Sequence, residues 1–208
     1  MRKVFLGVSS VVFAAVSALS NTALAQTTDQ AKITGFAYGG SGCPQGTVGN
    51  LISASPEGLP DTLTLLFDAY EALQGAGVSS SERQKSCNIA INIDVPQGFS
   101  FSLLQAEYKG YADLPVGVSG IQRTTYEFPF SNRGTFETEL KGPYEEDYRR
   151  TDEVGTAVWS PCGGTVPLNL QTSVALRGDR KPNASMNVER FTGKLTQLYN
   201  FQWRRCSN

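Results

Sequence analysis

The sequence of 208 residues contains no histidine. Histidine is the commonest general base and a favoured zinc ligand, because its imidazole changes protonation state near neutral pH. Its absence excludes a Ser-His-Asp hydrolase and the usual zinc enzymes. The sequence also lacks a strong charge of either sign, with 18 basic and 19 acidic residues spread along it. A nucleic-acid partner, which would need a basic stripe, is therefore not expected.

Long hydrophobic runs are scarce as well, and the one clear run lies near the N terminus. Arg2 and Lys3 precede an apolar run over 4–19, and Ala23-Leu24-Ala25 follows as a small-residue cleavage site. This three-part pattern is typical of a signal peptide, and the run is short for a membrane span. We predict a signal peptide over 1–25 and a single secreted domain over 26–208, extracellular or periplasmic, with no membrane span in the mature chain.

Alternation of apolar and polar residues runs through the mature chain and is typical of half-buried β-strands. The clearest case covers 166–176, where Thr172 is the only polar residue in the apolar register. Tyr199, Phe201 and Trp203 alternate in the same way and are expected in the core. We predict an all-β fold, a single-domain antiparallel β-sandwich, with a barrel as second choice. Strands are predicted over 33–38, 63–67, 89–93, 99–108, 117–128, 134–140, 157–160, 166–176 and, as a hairpin turning near Gly193, 187–205.

Four cysteines, Cys43, Cys87, Cys162 and Cys206, are well spread along a chain predicted to be secreted. An even number in an oxidising compartment predicts two structural disulfides. Three pairings are possible, and we favour Cys43 with Cys87 and Cys162 with Cys206, because each closes a loop of similar size. A metal site is the alternative, but the sequence has no Cys-x-x-Cys pair and no histidine to complete it. We therefore expect neither a metal ion nor a cofactor.

Short motifs around the cysteines form a combined pattern, which includes Tyr38-Gly39-Gly40-Ser41-Gly42-Cys43-Pro44, Gly110-Tyr111-Ala112-Asp113-Leu114, Tyr148-Arg149-Arg150-Thr151-Asp152, Trp159-Ser160-Pro161-Cys162-Gly163 and Gln202-Trp203-Arg204-Arg205-Cys206. Together they resemble a secreted family of fungi and bacteria catalogued as domain of unknown function 4360. The resemblance runs over essentially the whole mature chain. It implies secretion and a β-rich fold, and it carries over no activity and no functional residue.

Paired carboxylates are the enzymatic hypothesis that the missing histidine leaves open. Glycoside hydrolysis needs an acid and a base or nucleophile that are held roughly 5 to 10 Å apart. The candidates are Glu107 with Asp113, and the acidic group around Tyr144 and Tyr148. That group consists of Glu145, Glu146, Asp147 and Asp152. Solvated carboxylates at strand ends are the simpler interpretation, and we predict no catalytic residue.

Tyrosine and arginine side chains form the most distinctive surface pattern of the sequence. Flat rings offer apolar faces, and neighbouring charged groups offer directional hydrogen bonds, a combination that suits sugars and extended peptides. Ordinary strand aromatics with their polar ends in water are the alternative interpretation. The candidate ligand-binding residues are Tyr108, Tyr111, Asp113, Tyr144, Asp147, Tyr148, Arg149 and Trp159.

The sequence thus predicts a secreted, non-catalytic extracellular or cell-surface protein that binds a polysaccharide or a component of the cell envelope. A histidine-free glycan-active hydrolase using two carboxylates is the first alternative. A small secreted effector or inhibitor that acts on a protein is the second.

Overall fold

Two antiparallel β-sheets pack face to face as a sandwich in the computed structural model, which describes residues 31–54, 59–154, 156–187 and 195–207. The predicted signal peptide lies outside these residues. The predicted all-β sandwich is confirmed, and the one helical element described is a short 3₁₀ turn, Ser80–Arg83. The strands are β1 (Lys32–Gly39), β2 (Val48–Ala54), β3 (Pro60–Phe67), β4 (Ala72–Gln74), β5 (Gln84–Val95), β6 (Phe99–Leu114), β7 (Val118–Glu127), β8 (Arg133–Lys141), β9 (Tyr144–Glu153), β10 (Gly164–Gly178), β11 (Ala184–Asn187) and β12 (Leu195–Arg205).

Sheet A contains five strands in the order β1, β5, β10, β7, β8. The period-two patterns of β5 and β10 meet in register, so that Ile91 lies opposite Leu168 on the inner face. Both side chains are fully buried. Because alternate residues of a strand point to opposite faces, the intervening residues Ala90 and Asn169 point outward together.

Sheet B is built around the long strand β6. On one side β6 pairs with β12 and then with β11, and on the other side it pairs with β9. The strand expected as the second arm of a hairpin within 187–205 is formed as β12, but the hairpin prediction is wrong, because β3 and β6 occupy both edges of β12. Its predicted turn at Gly193 lies outside the described residues. β3 and β2 complete the sheet beyond β12, and β4 pairs with β11.

Two disulfides reinforce the sandwich with the pairing that the sequence analysis favoured. Cys43 pairs with Cys87 and joins the loop after β1 to β5. Cys162 pairs with Cys206 and joins the segment before β10 to the end of β12. Cys43 and Cys87 are fully buried, whereas Cys162 is exposed. The four cysteines are all used, and none of them is free.

A buried hydrogen-bond network explains why Thr172 interrupts the apolar register of β10. Its hydroxyl oxygen accepts from Nε2 of Gln197 at 2.8 Å and from the hydroxyl of Thr124 at 3.2 Å. The hydroxyl of Tyr199 donates to Oε1 of Gln197 at 2.6 Å. All four residues are buried. Since Thr124 and Thr172 belong to sheet A and the other two to sheet B, the network joins the two sheets through their core.

Candidate functional site

Four of the predicted ligand-binding residues lie on the outer face of sheet B. Tyr111 and Asp113 of β6 pair in register with Asp147 and Glu145 of β9. Arg149 lies two residues further along β9, opposite Lys109. Tyr111 is half-buried, and Asp113, Asp147 and Arg149 are exposed. The structure therefore brings this part of the predicted cluster together on one surface.

An ion-pair triad occupies one end of that surface. Nε and Nη2 of Arg149 donate to Oε2 of Glu107 at 2.9 and 2.6 Å, and the ammonium of Lys109 lies 3.0 Å from Oε1. Burial raises the pKa of the Glu107 carboxyl, but the hydrogen bonds from Arg149 and Lys109 outweigh it and lower the pKa below its usual value. Glu107 is consequently held ionised and is unsuited to donate a proton.

The proposed carboxylate pair of Glu107 and Asp113 does not meet the distance that glycoside hydrolysis requires. The two residues are six positions apart in the same strand β6. At about 3.3 Å per residue their Cα atoms are roughly 20 Å apart, twice the largest working separation. The two carboxylates therefore cannot act on one glycosidic bond.

Tyr108 and Tyr148 lie in the core, so neither ring is available to a ligand on the surface. Tyr108 has no exposed area and Tyr148 has 3%. The hydroxyl of Tyr148 donates to Oε1 of Gln122 at 3.0 Å. Burial raises the pKa of both phenols. The cause is alternation, because each tyrosine is the immediate neighbour of an outward-facing residue, Lys109 or Arg149, and so faces inward.

Tyr144 and Trp159 lie apart from the outward cluster. Tyr144 begins β9 opposite Leu114, packs partly against the core, and donates from its hydroxyl to the backbone oxygen of Asp147 at 3.4 Å. Trp159 belongs to the segment that runs beside the opposite end of β6. The guanidinium of Arg204 lies 4.1 Å from its ring centroid, so one face of the indole is already covered. The predicted cluster is thus divided among four places: the outer face of sheet B, the core, and the two opposite ends of β6.

A second surface, which the sequence analysis did not single out, is the outer face of sheet A. Asn88 of β5 lies opposite Gln171 of β10, which lies opposite Thr125 of β7. In the next row Asn169 of β10 lies between Ala90 and Glu127. These rows place three side-chain amides on neighbouring central strands, and we call this surface the amide groove.

The amide groove consists of two shallow depressions that share Asn88 and Gln171. Their volumes are about 330 and 270 Å³. The first depression is deepened on the side of β1 and β5 because Ala37 and Ala90 have small side chains. The first depression is lined mainly by Ala37, Asn88, Ala90, Glu127, Asn169 and Gln171, and the second by Ser86, Asn88, Arg123, Thr125, Gln171 and Ser173.

Ion pairs border the amide groove along the edge strand β8. Nε of Arg133 donates to Oε2 of Glu127 at 2.7 Å. Two outward pairs further along β7 and β8, Arg123 forms an ion pair with Glu137. The charges of both arginines are therefore compensated locally, and the floor between them and β1 is uncharged. This arrangement favours a neutral polar ligand over an ionic one.

The three amides of the groove have unused hydrogen-bonding capacity. Within the part of the chain that the structure describes, the side chains of Asn88, Asn169 and Gln171 make no hydrogen bond to another protein group. A carboxamide offers two N–H donors and an acceptor oxygen in one plane. That set matches vicinal hydroxyl groups, each of which both donates and accepts. Their polar register was visible in the sequence, but only the pairing of β5 with β10 brings residues some 80 positions apart together.

Over the ranges that the structure describes, no group of three or more Asp, Glu or Cys side chains is arranged to hold a metal ion. The same ranges contain no helix that is long and apolar enough to cross a membrane.

Comparison with known proteins places the chain in a family. The family model described as domain of unknown function (DUF4360) matches residues 29–206. The chain belongs to the DUF4360 family. An uncharacterized secreted protein of Arthroderma benhamiae is 38% identical to it over 184 residues, which cover 86% of this chain and 74% of that protein. The predicted family and the predicted secretion of this DUF4360 protein are both confirmed.

Two solved structures align with most of the DUF4360 protein at low similarity. TmCBM61 in complex with β-1,4-galactotriose is 11% identical, with a TM-score of 0.33, over 83% of this chain and 90% of its own. The N-terminal cellulose-binding domain of Cellulomonas fimi β-1,4-glucanase C is 12% identical, with a TM-score of 0.25, over 88% of this chain and 95% of its own. At this level neither alignment informs on the ligand of this chain.

Proposed function

We propose that this DUF4360 protein is a secreted, non-catalytic binding protein that holds a neutral polysaccharide in the amide groove of sheet A. The observation that carries the proposal is the set of amides at Asn88, Asn169 and Gln171, which share an uncovered floor and have no partner within the described chain. Polar groups that strands hold in place, and that have no partner in the protein, can exchange water for the hydroxyl groups of a ligand without first breaking a hydrogen bond within the protein.

The rigidity of the floor supports binding by preorganisation. β5 and β10 pair over twelve residues, and β10 pairs with β7 over ten. The backbone positions of the three amides are therefore set before a ligand binds, which lowers the entropic cost of association. The small side chains of Ala37 and Ala90 leave space for an extended chain to lie across the strands.

The first experiment is retention of the purified mature protein on insoluble cellulose, chitin and β-1,3-glucan, with release of reducing ends scored separately. We expect retention on at least one of the three polymers and no release of reducing ends. Combined substitution of Asn88→Ala, Asn169→Ala and Gln171→Ala should reduce retention at least tenfold, because each lost polar anchor contributes about 1 kcal/mol. Retention on none of the three polymers contradicts the proposal.

Two further variants locate the site. Thr64→Ala with Gln202→Ala changes uncharged, outward residues of sheet B and serves as a matched control that should bind like the wild type. Tyr111→Ala with Arg149→Ala tests the surface that the sequence predicted. Loss of retention in this second variant, with normal retention in the groove variant, would assign the ligand to sheet B.

A glycan-active hydrolase is the second candidate, and one observation favours it. Asp113 and Glu145 lie directly opposite each other on the outer face of β6 and β9. Directly opposed residues have Cβ atoms about 5 Å apart, close to the carboxylate spacing of a retaining enzyme. Both residues are exposed, and Glu145 lies on the edge strand β9, which makes this the weaker candidate. Release of reducing ends that Asp113→Asn abolishes, with retention preserved, would establish it.

A further inference from the structure

A fully exposed phenylalanine occupies a strained position in the turn between β7 and β8. Phe130 has a φ of 60° and an exposure of 109%. It is the only residue other than glycine with positive φ among those that the structure describes. Bulky residues avoid this region because Cβ crowds the backbone, so strain here points to a use for the side chain.

The turn over 128–131 has the hydrogen bond and the proline of a type II turn, but its third position holds phenylalanine, where glycine or asparagine is usual. The backbone N–H of Ser131 donates to the oxygen of Phe128 at 3.2 Å, and Pro129 occupies the second position, where its fixed φ is favourable. The third position requires positive φ and normally holds glycine or asparagine. Phe130 therefore lowers the stability of the turn without covering any apolar surface of the fold.

Hydrogen bonds between the side chain of Ser131 and the backbone of Phe128 hold the two ends of the turn together. The hydroxyl of Ser131 accepts from the backbone N–H of Phe128 at 3.1 Å and lies 2.9 Å from its carbonyl oxygen. The ring of Phe128 is buried against Phe101, with ring centroids 5.0 Å apart. The ring of Phe130 is thus presented from a fixed backbone, which reduces the entropy lost when it makes a contact.

The turn stands at the edge of the amide groove. The last outward pair of the β7–β8 hairpin is Glu127 with Arg133, and Glu127 also lines the groove beside Asn169. Phe130 lies three positions after Glu127, so their Cα atoms are at most about 11 Å apart. The hairpin therefore combines an apolar ring at its tip with a hydrogen-bonding floor at its base.

We propose that Phe130 is the aromatic contact of the amide groove and stacks on the apolar face of a pyranose ring in the bound chain. This inference rests on the proposed function. A phenyl ring makes no hydrogen bonds, so its partner must offer a flat apolar face, whereas the amides require hydroxyl groups. A pyranose polymer offers both on the same molecule, with C–H groups on the ring faces and hydroxyl groups around its edge.

The decisive variant is Phe130→Gly, because glycine removes the ring and also relieves the positive φ. We expect its retention on the polymer that holds the wild type to fall fivefold or more, while its melting temperature stays equal or rises. Phe130→Trp should retain at least wild-type binding. Asn132→Ala, two residues away on the same turn, serves as the matched control and should bind normally.

The outcomes separate this inference from the proposed function. If Phe130→Gly binds like the wild type while the Asn88, Asn169 and Gln171 variant does not, the role of Phe130 is wrong and the amide groove remains the site. If the wild type is retained on none of cellulose, chitin and β-1,3-glucan, both proposals fail. Loss of binding in Phe130→Gly together with a lowered melting temperature would also overturn the inference, because it would show that the ring supports the fold.

Discussion

Tyr148 packs its ring over Gly110, the residue directly opposite it in the neighbouring strand. A Cβ atom built on Gly110 would lie 2.7 Å from the hydroxyl oxygen of Tyr148 and 2.4 Å from the backbone oxygen of Asn187. Gly134 has the same relationship to Tyr126 across β7 and β8. In each pair the ring fills the space that the missing side chain leaves, which compensates for glycine in a strand.

We expect Gly110→Ala to destabilise the protein by about 1 to 3 kcal/mol, because neither the backbone of β11 nor the buried phenol can move away cheaply. Gly49→Ala is the matched control. Its new Cβ would approach only Leu66 at 3.9 Å, an ordinary contact, so it should be neutral or slightly stabilising. Urea unfolding of both variants measures the difference. Equal stability of the two would contradict this account of the tyrosine and glycine pairs.

Thr172→Val should cost about 1 to 3 kcal/mol, although it keeps the side-chain shape and adds an apolar group. The substitution leaves Nε2 of Gln197 without its acceptor in a buried site. Thr125→Val, on the outer face of the same sheet, should change the free energy of unfolding by less than about 0.5 kcal/mol. Thermal or urea unfolding distinguishes the two. A stabilised Thr172→Val variant would show that the network contributes nothing to stability.

The two disulfides should differ in their resistance to reduction. Cys43 and Cys87 are fully buried, whereas Cys162 is exposed and Cys206 is partly so. Thiolate attack needs access to sulfur, so mild dithiothreitol on the folded protein should free Cys162 and Cys206 first. Alkylation followed by peptide mass spectrometry identifies the order. Simultaneous reduction of both disulfides would indicate global rather than local opening.

Each crosslink closes a loop of 44 residues, so removal of either by paired Cys→Ser substitution should cost about 4 kcal/mol in the chain-entropy model.

The Glu107 triad should add a pH-dependent contribution to stability. Because the folded pKa of Glu107 is lowered, its contribution is fully present above the ordinary pKa of a glutamate and is lost as pH falls through the lowered folded pKa. Glu107→Gln should therefore be less stable than the wild type at pH 7, and the difference should shrink in acid below about pH 4.5. Since Arg149 is largely exposed, we expect a difference at or below about 1 kcal/mol. Glu153→Gln, which has no ion pair within the described chain, should show no such trend.

Strands with a clear apolar register could be predicted from the sequence, and these include the edge strands β1 and β8 of sheet A. A strand without such a register, such as β9, could not. The alternation in 166–176 predicted the centre of β10 and marked Thr172 as an exception. β9 escaped prediction because it is an edge strand in which only Tyr148 is buried, so no apolar register appears. The predicted strand at 157–160 is not formed, although Ser160 donates its N–H to Phe101 beside β6.

The sites were harder to predict than the strands because a site depends on pairing. Tyr108 and Tyr148 looked like surface rings when charges flanked them in sequence, but alternation sends sequence neighbours to opposite faces. Extending the β6 pattern through Gly110 would have revealed an inward register of small and aromatic residues. The amides at Asn88 and Gln171 were visible as polar positions. Only the register of β5 against β10 shows that they share one floor.

The position of β12 in the centre of sheet B limits when the protein can acquire its structure during export. β12 lies between β3 and β6, and β10 lies between β5 and β7 in the other sheet. Neither sheet can close until the last third of the chain has crossed the membrane, because its central strand is still missing. The Cys43–Cys87 crosslink can form on the emerging chain, whereas Cys162–Cys206 must wait. Unpaired strand edges are exposed during that interval, so we expect secretion to depend on chaperones of the receiving compartment.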